Sequence, residues 1–323
     1  MTNREIIVES LSKRYTGDVV AVDNVSFKVN SGQIYGFLGP NGAGKSTVIK
    51  ILTSLALPTS GRATVGGYDV VSQADQVRRI MGVALQDIGL DNLMKPLELL
   101  TLQAQLFGAN RAQSATRAEE LVTLVGLTDA IDRRVGTYSG GMRRRLDLAL
   151  ALVHRPEILF LDEPTTGLDP ASRRDLWEEV RRLNRDFGIT IFLTTQYLEE
   201  ADVLADEVAI INQGRIATVG SPAKLKAGVG KESINVNFDS PETAELARSE
   251  LAQFAEGVQL DRDTVRLYMA QAAESIPAVV NRLQQANINP VSLTLSQPTL
   301  DDVFLQVTGQ SLEGQEGGTG EAS

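Results

Sequence analysis

The chain has 323 residues, and its 42% hydrophobic and 22% charged content is typical of a folded globular protein long enough for two domains. A formal net charge of −10 argues against binding of bulk nucleic acid, and the absence of cysteine excludes disulfides, thiol catalysis and cysteine-ligated metals. The polar start lacks a secretory signal, and no apolar run approaches the roughly 18 residues that a membrane-spanning helix requires. We therefore expect a protein of the cytosol, or one held on a membrane surface by a partner.

In chain order, the first predicted elements are strands within residues 4–29, with a turn at residues 16–18. A further strand at residues 34–38 is followed by a glycine-rich segment and then by apolar residues at helical spacing from Val48 to Leu55. This order of strand, loop and helix is the context that a phosphate-binding P-loop requires.

The glycine-rich segment fits the P-loop pattern of Gly, any four residues, Gly, Lys, and Ser or Thr, over Gly39, Pro40, Asn41, Gly42, Ala43, Gly44, Lys45 and Ser46, with Thr47 next. Its backbone N–H groups are expected to converge on phosphate oxygens at the positive end of the following helix. Lys45 is expected to reach the β- and γ-phosphates, and the Ser46 hydroxyl to bind Mg²⁺. The alternative is an ordinary glycine-rich turn, which the flanking strand and helix argue against.

The middle of the chain changes character. Residues 97–134 carry leucines at helical spacing and predict a mostly helical insert, and a helix over Met142–Val153 follows. The apolar run at residues 158–161 then ends in two acids, Asp162 and Glu163, which is typical of a central parallel strand that delivers carboxylates to a site. The unit closes with a predicted helix over 171–187, a strand over 189–195 and a hairpin over 208–219.

A linker rich in Gly and Lys, around residues 227–231, opens a second predicted unit. Its expected elements are a strand at 233–238, a helix at 242–254, strands at 257–261 and 264–269, a helix at 273–286 and a strand at 290–296. This βαββαβ order suggests a ferredoxin-like split. A last helical turn or two is predicted before residue 308, and the tail at 309–323 is expected to be disordered.

Five further short segments align with the P-loop, and together they resemble the ATP-binding cassette of ABC transporters over about residues 4–225. The segments are Tyr15, Gln86, Tyr138–Met142, Asp162 with Glu163, and Gly167–Asp169. The resemblance implies an α/β P-loop NTPase fold with an antiparallel β subdomain, a parallel-sheet core and a helical subdomain at about residues 87–150. It places the cassette at 1–226 and a small α+β accessory domain at 232–308.

The resemblance also assigns roles to individual side chains. Tyr15 takes the position of the aromatic residue that stacks on adenine, although alone it reads as a half-buried strand aromatic. Gln86 takes the position of the glutamine that contacts Mg²⁺ and the attacking water, although a strand-end Gln alone is usually just solvated. Asp162 resembles the Walker B aspartate that holds Mg²⁺ through water, and Glu163 resembles the adjacent general base.

A second anion site is implied by Ser139, Gly140 and Gly141, which resemble the family's signature segment. A Ser hydroxyl and free N–H groups at a helix N-terminus suit the γ-phosphate of a nucleotide held on another cassette. The alternative for Ser139 alone is a plain N-cap. Asp169 matches the loop that spans the interface between two cassettes.

Two positions depart from the family pattern. Met142 replaces the usual Gln and cannot hydrogen-bond a ribose hydroxyl. Gln196 stands where the family usually places a histidine that contacts the γ-phosphate, and its amide can donate a hydrogen bond but carries no charge. We therefore expect hydrolysis to rely on Glu163 and Mg²⁺, with Gln196 as a neutral positioning group and His154 as a structural residue.

Three stretches resemble the daunorubicin-resistance branch of drug-exporter ATPases, namely Tyr138–Asp147, Thr194–Asp202 and Pro298–Phe304. Because a lone chain with one P-loop and one signature segment cannot close its own site, we expect a homodimer. The resemblance implies ATP and Mg²⁺ as ligands, and an ATP-hydrolysing subunit that powers efflux of a hydrophobic compound or antibiotic. It also implies a separate transmembrane permease and a place at the cytoplasmic face of the membrane.

Other functions are weighed against this one. A soluble cassette ATPase acting on ribosomes or nucleic acid usually carries two cassettes, coiled coils or a basic surface, and none is visible. Arg143, Arg144 and Arg145 do not supply one, because successive residues point in different directions on a helix, and we expect a solvated or interface face there. An ABC subunit for a non-drug cargo is the nearer alternative, whereas a GTPase or kinase leaves the signature segment unexplained.

Overall fold

A computed structural model describes residues 4–86, 89–229, 232–269 and 271–309. The chain divides into two compact units, with the boundary between Pro222 and Ala223. That boundary falls slightly before the predicted end of the cassette at residue 226. The predicted disordered tail lies outside the described residues except for Gly309, which ends the last helix.

Two sheets and their connecting helices make up the first unit, with short 3₁₀ turns at Thr128–Ala130 and Val135–Thr137. Its elements are β1 (Ile6–Arg14), β2 (Val20–Val29), β3 (Ile34–Leu38), α1 (Lys45–Leu52), β4 (Ser60–Val65), β5 (Tyr68–Asp69), α2 (Ala74–Ile80), β6 (Met81–Ala84), α3 (Pro96–Leu106), α4 (Arg111–Leu124), α5 (Gly140–Ala151), β7 (Ile158–Asp162), α6 (Pro170–Phe187), β8 (Thr190–Thr195), α7 (Leu198–Leu204), β9 (Glu207–Asn212) and β10 (Arg215–Gly220).

The central sheet has six strands in the order β10-β9-β3-β8-β7-β6. All its neighbouring strands run parallel except β10, which is antiparallel to β9. Strands β3 and β7 are buried along their whole length, as expected for parallel strands covered on both faces. A second, antiparallel sheet has the order β2-β1-β4-β5. The predicted parallel core and antiparallel β subdomain are therefore both present.

Two apolar cores cover the two faces of the central sheet. Since successive strand residues point to opposite faces, Leu159 and Leu161 join the core that contains the helical region, while Ile158 and Phe160 join the core under the antiparallel sheet. The helical region itself is α3, α4 and α5, which pack together around fully buried leucines. The predicted helical insert is confirmed, and its helices α3 and α4 both pack against α5.

The second unit has its own core beneath an antiparallel sheet. Its elements are α8 (Pro222–Val229), β11 (Ser233–Asn237), α9 (Pro241–Leu251), β12 (Gly257–Asp261), β13 (Thr264–Tyr268), α10 (Ala272–Gln285), β14 (Ser292–Ser296) and α11 (Leu300–Thr308). The strand order β12-β13-β11-β14, with α9 and α10 on one face, is the split arrangement that the sequence suggested. Helix α9 ends three residues earlier than predicted, and a 3₁₀ turn continues to Phe254.

Among the helices of the described residues, none is both long and apolar enough to cross a lipid bilayer.

Candidate functional site

The P-loop lies between β3 and α1, and its backbone requires glycine. Gly42 and Gly44 have φ angles of 79° and 104°, in the left-handed region that other residues rarely adopt. A Cβ atom at Gly39 would lie 2.4 Å from the carbonyl oxygen of Ile211. The loop therefore packs against β9 on one side, while Asn41 and Gly42 remain exposed.

Lys45 is the first residue of α1 and is almost fully buried, with 4% of its surface exposed. Its ammonium group donates to the carbonyls of Gly39 and Pro40 at 2.8 and 3.1 Å. It also forms an ion pair with Glu163, with Nζ 3.0 Å from Oε1. The sequence-predicted P-loop lysine and general base therefore meet directly.

Asp162 joins three elements at the carboxyl end of β7. Its Oδ1 accepts a 2.5 Å hydrogen bond from the hydroxyl of Thr194 on β8. The same oxygen accepts from the Ser46 hydroxyl on α1 at 3.3 Å. Ser46 and Asp162, two of the three residues predicted to bind Mg²⁺, are thus within hydrogen-bonding distance, although they lie far apart along the chain.

Glu163 follows β7 with a φ of 48°, in the left-handed region. A non-glycine residue in this conformation is uncommon and is held there by its surroundings. Its N–H donates to the backbone carbonyl and the hydroxyl of Thr194, each at 3.1 Å. Its Oε2 accepts from Gln86 Nε2 and from Thr166 Oγ1, each at 3.4 Å. Gln86 therefore lies beside Glu163.

Gln196 directly follows β8 and is half-buried next to the P-loop, since the N–H of Gly39 donates to the carbonyl of Thr195 at 3.1 Å. Its neighbour Tyr197 lies under the guanidinium of Arg173, 4.4 Å from the ring centroid. Tyr15, after β1, is 42% exposed, and the ammonium of Lys13 lies over its ring, 5.0 Å from the centroid.

Ser139, Gly140 and Gly141 form a second cluster at the start of α5. Ser139 caps the helix by accepting from the N–H of Met142 at 3.3 Å. A Cβ atom at Gly141 would lie 2.7 Å from the hydroxyl oxygen of Ser172 on α6. Within the described part of the chain, no hydrogen bond joins this cluster to residues 39–47.

Asp169 lies in the same region and caps α6. Its carboxylate accepts from the backbone N–H groups of Ala171 and Ser172 at 3.1 and 3.0 Å, and from the Ser172 hydroxyl at 2.6 Å. These bonds, chiefly those from Ser172, lower the pKa of Asp169, so it is a carboxylate at neutral pH. The predicted site residues thus fall into two groups within one chain.

The donor set suits Mg²⁺ only together with phosphate. The described residues contain no group of three or more His, Cys, Asp or Glu side chains that could hold a metal by themselves. Mg²⁺ commonly takes one or two carboxylates from the protein, with phosphate, water and other oxygens completing an octahedron. The Ser46 hydroxyl, the Asp162 carboxylate and the Gln86 amide match that requirement.

Sequence reasoning missed a buried arginine. The expectation of a solvated or interface face at residues 143–145 is wrong for Arg144, which is only 4% exposed. It shares one face of α5 with buried Gly141 and Leu148, at the i−3 and i+4 positions. That helical spacing is the signal that could have identified it.

A buried glutamate was also missed. Glu200 on α7 has no exposed surface, and its Oε1 accepts from the Trp177 indole N–H at 3.0 Å. Burial raises its pKa, partly offset by the hydrogen bond from Trp177. The sequence around Glu200 did not indicate its burial, because the side chains that contact it belong to other elements.

The expected structural role of His154 agrees with its surroundings. Its imidazole stacks on Phe107 with ring centroids 4.0 Å apart, and Nε2 lies 2.8 Å from the carbonyl oxygen of Met81. Burial lowers its pKa, and so the ring is neutral at pH 7.

Comparison with known proteins gives the same picture as this geometry. Residues 22–166 match the sequence profile of the ABC transporter family, and residues 220–308 match the profile described as "ATP-binding protein DrrA1-3-like, C-terminal domain". The solved structure of cbiO1 from Clostridium perfringens superposes with a TM-score of 0.64 and 25% identity, covering 69% of this chain and 90% of that one. The dimeric, post-hydrolysis ATP-binding cassette MJ0796 superposes with a TM-score of 0.61 and 23% identity, over 67% and 98%, which supports the fold.

Curated relatives match almost the whole chain. The daunorubicin resistance ATP-binding protein DrrA3 of Streptomyces coeruleorubidus is 42% identical over 311 residues, covering 96% of this chain and 97% of that protein. The doxorubicin resistance ATP-binding protein DrrA of Mycobacterium tuberculosis is 40% identical over 315 residues, with 95% of each chain covered. The linearmycin resistance ATP-binding protein LnrL of Bacillus subtilis is 33% identical over 308 residues, covering 94% and 98%.

The chain therefore belongs to the ABC transporter ATP-binding proteins, whose cassettes hydrolyse ATP in support of transport. The predicted resemblance and P-loop NTPase fold are confirmed. Its C-terminal domain and its relatives place it in the branch of the daunorubicin-resistance ATP-binding proteins.

Proposed function

We propose that this chain powers the export of a hydrophobic compound of the antibiotic class through a separate membrane permease. The names of its relatives support this cargo class. The observation that carries the proposed chemistry is the meeting of Lys45, Asp162 and Glu163 at the carboxyl edge of the parallel sheet. A buried lysine and two carboxylates beside a P-loop suit a triphosphate.

Nucleotide binding would rearrange the Lys45–Glu163 pair. In this proposal the Gly39–Thr47 backbone holds the phosphates, Tyr15 stacks on adenine, and a γ-phosphate oxygen replaces Glu163 beside the Lys45 ammonium. Because the lysine keeps its carbonyl bonds to Gly39 and Pro40, it needs only a small movement. The exchange leaves the Glu163 carboxylate unpaired and able to act as a base.

The Ser46 hydroxyl, the Asp162 carboxylate and the Gln86 amide would hold Mg²⁺ together with the phosphates. The bound ion would neutralise part of the negative charge on the phosphates. Thr194 keeps Asp162 oriented through its 2.5 Å hydrogen bond.

The reacting water would lie between Glu163 and the γ-phosphate. The Glu163 carboxylate accepts a proton from this water, and the Gln86 and Gln196 amides orient it by hydrogen bonds. The left-handed backbone at Glu163, held by two bonds to Thr194, fixes the direction of the carboxylate. Hydrolysis in this scheme requires no titrating histidine.

Ser139, Gly140 and Gly141, with Asp169 beside them, would serve a nucleotide on a second copy of the chain. Support comes from the absence of a hydrogen bond between them and residues 39–47 in the described chain, and from the helix N-terminus that they form. Two copies then meet head to tail, and each nucleotide lies between a P-loop and a signature segment. The permease, which holds the pair at the cytoplasmic face of the membrane, receives the resulting motion.

The test is steady-state Mg-ATP turnover of the protein purified together with its permease. Glu163→Gln should lower kcat by about 10²–10⁴-fold while ATP binding is retained, because a neutral amide cannot accept the proton. Glu178→Gln on the exposed side of α6 is the matched control and should keep the wild-type rate. A wild-type complex without Mg-ATP turnover would refute the proposal.

A further inference from the structure

Arg144 is a buried cation whose guanidinium binds three backbone carbonyls from two other segments. Nη1 donates to the carbonyl of Leu85 at 2.6 Å, Nη2 to that of Asp162 at 2.8 Å and Nε to that of Pro164 at 2.8 Å. Nη1 also contacts Asp147 Oδ2 at 3.2 Å. These contacts engage all three guanidinium nitrogens, and the planar fork fixes the relative directions of the bonds.

The bonded carbonyls lie directly beside the residues of the proposed chemistry. Leu85 precedes Gln86, and Asp162 and Pro164 flank Glu163 on both sides. Gln86 and Glu163 themselves are in contact through a 3.4 Å hydrogen bond. The guanidinium therefore links the segment at Leu85 and Gln86 to the end of β7, and it fixes the distance between them.

Arg144 is a cation in a buried position. Burial lowers its pKa, and nearby Asp147, Asp162, Glu200 and Glu163 partly offset that effect. Removing this cation is costly, since the carbonyls of Leu85, Asp162 and Pro164 would each lose the donor that it supplies. Arg144 is thus a buried residue whose guanidinium is held by several hydrogen bonds.

Arg144 also connects this site to the second cluster. It lies in α5, whose N-terminus is the Ser139–Gly141 segment, about one and a half helical turns away. A helix is stiff over such a distance, so a displacement at Ser139 reaches the carbonyls of Leu85, Asp162 and Pro164 through the guanidinium.

Building on the proposed function, we infer that Arg144 is a positioning residue that couples the signature segment to the catalytic segments of its own chain. It holds Gln86 and Glu163 in place for one nucleotide, while the N-terminus of its helix contacts the nucleotide of the partner copy. Through this residue, contact at one site of the dimer determines the geometry at the other.

Arg144→Lys tests the positioning role, because lysine keeps the charge but has one nitrogen in place of the fork. We expect kcat for Mg-ATP to fall between about 10-fold and 100-fold, as for a small misplacement of catalytic groups, with KM changed less than about twofold. The matched control, Arg145→Lys, should keep wild-type values. Wild-type kcat in the Arg144→Lys protein would overturn the inference, as would an equal loss in the control.

Mixed complexes test the coupling. A pair of one Lys45→Ala chain and one Ser139→Arg chain retains a single complete site, built from Lys45 of the second chain and Ser139 of the first. Arg144→Lys should lower turnover when placed in either chain, because Arg144 holds the catalytic segments of its own chain and, through the N-terminus of α5, acts on the nucleotide of the partner copy. An effect from only one placement would overturn the coupling.

Asp147→Asn provides a second variant should Arg144→Lys fail to fold. It removes only the carboxylate that orients Nη1 and leaves the carbonyl bonds in place. A lower kcat with unchanged KM supports the inference, and wild-type kcat overturns it. If wild-type protein itself lacks Mg-ATP turnover, the proposed function fails, whereas normal wild-type turnover with these results contradicts the role of Arg144 alone.

Discussion

The carboxyl groups near the site differ in what surrounds them, and the differences decide their charge. Asp169 is exposed and accepts several hydrogen bonds, which lower its pKa. Burial raises the pKa of Asp147 to about 6, although the nearby Arg144 acts in the opposite direction. One residue type therefore serves as a fixed anion in one place and as a titrating group in another.

Asp147 should make stability depend on pH. Since its folded pKa of about 6 exceeds the unfolded value, the native state binds the proton more tightly and stability falls as pH rises from about 4 to 6. The loss of stability is complete once the pH exceeds the folded pKa of about 6. Asp147→Asn, which cannot titrate, should therefore gain stability relative to wild type between pH 4.5 and pH 7 in urea unfolding. A difference independent of pH would contradict this assignment.

Because Gln196 stands in place of a histidine, we expect an ATPase pH profile that shows no histidine titration. Gln196 cannot titrate, and His154 is held neutral by burial against Phe107. Turnover of wild type should change less than about twofold between pH 6 and 7, whereas Gln196→His should introduce a limb near 6.5. His154→Ala should leave the wild-type profile unchanged. A wild-type limb near 6.5 would show that an unidentified titrating group controls hydrolysis.

At the scale of elements, the site depends on how closely α5 packs against β6. A Cβ atom at Gly82 would lie 2.2 Å from the carbonyl oxygen of Ala151 at the end of α5. Backbone at this distance cannot be displaced without moving the helix. The glycine thus allows α5 to pack closely on β6. Arg144 of this helix forms its hydrogen bonds at the carboxyl ends of the parallel strands.

Gly82→Ala should consequently destabilise the protein by about 1–3 kcal/mol or more, as overpacked cores do. The measurement is the free energy of unfolding in urea, together with Tm. Gly89→Ala is the matched control, because a Cβ atom there meets nothing within 4 Å. Equal Tm values for the two variants would show that the helix shifts without cost.

At the scale of the whole molecule, the proposed dimer would bring two clusters of site residues together. Lys45 and Glu163 lie in one cluster, and Ser139 and Gly141 lie at the start of α5, with no hydrogen bond between the clusters in the described residues. In the proposed dimer, a nucleotide contacts the first cluster of one chain and the second cluster of the other. Occupation of the site and association of the chains would then be thermodynamically linked.

Glu163→Gln protein should dimerise when saturated with Mg-ATP, because it binds the nucleotide without consuming it. Sedimentation velocity should show a shift from monomer to dimer that Mg-ADP does not produce. Adding Ser139→Arg should abolish the dimer, since a bulky cation would occupy the proposed phosphate contact. A Glu163→Gln protein that stays monomeric with Mg-ATP would contradict the shared site.

The sequence by itself determined the features that depend on local order. The P-loop at residues 39–46 was identifiable because its chemistry needs consecutive glycines between a strand and a helix. Asp162 and Glu163 were identifiable because they end a buried apolar strand, whereas Ser139 alone predicted only a helix cap and its proposed role came from the family resemblance. The βαββαβ order of the second unit was likewise predicted from alternating periodicities.

Only the tertiary structure decided which distant groups meet. Arg144 lies in a run of three arginines, and its burial follows from the packing of α5 against the ends of two parallel strands. Glu200 is buried because Trp177 and two threonines from separate elements surround it. Local periodicity describes one element's faces, whereas the partner of a buried charge is set by long-range strand register and helix packing.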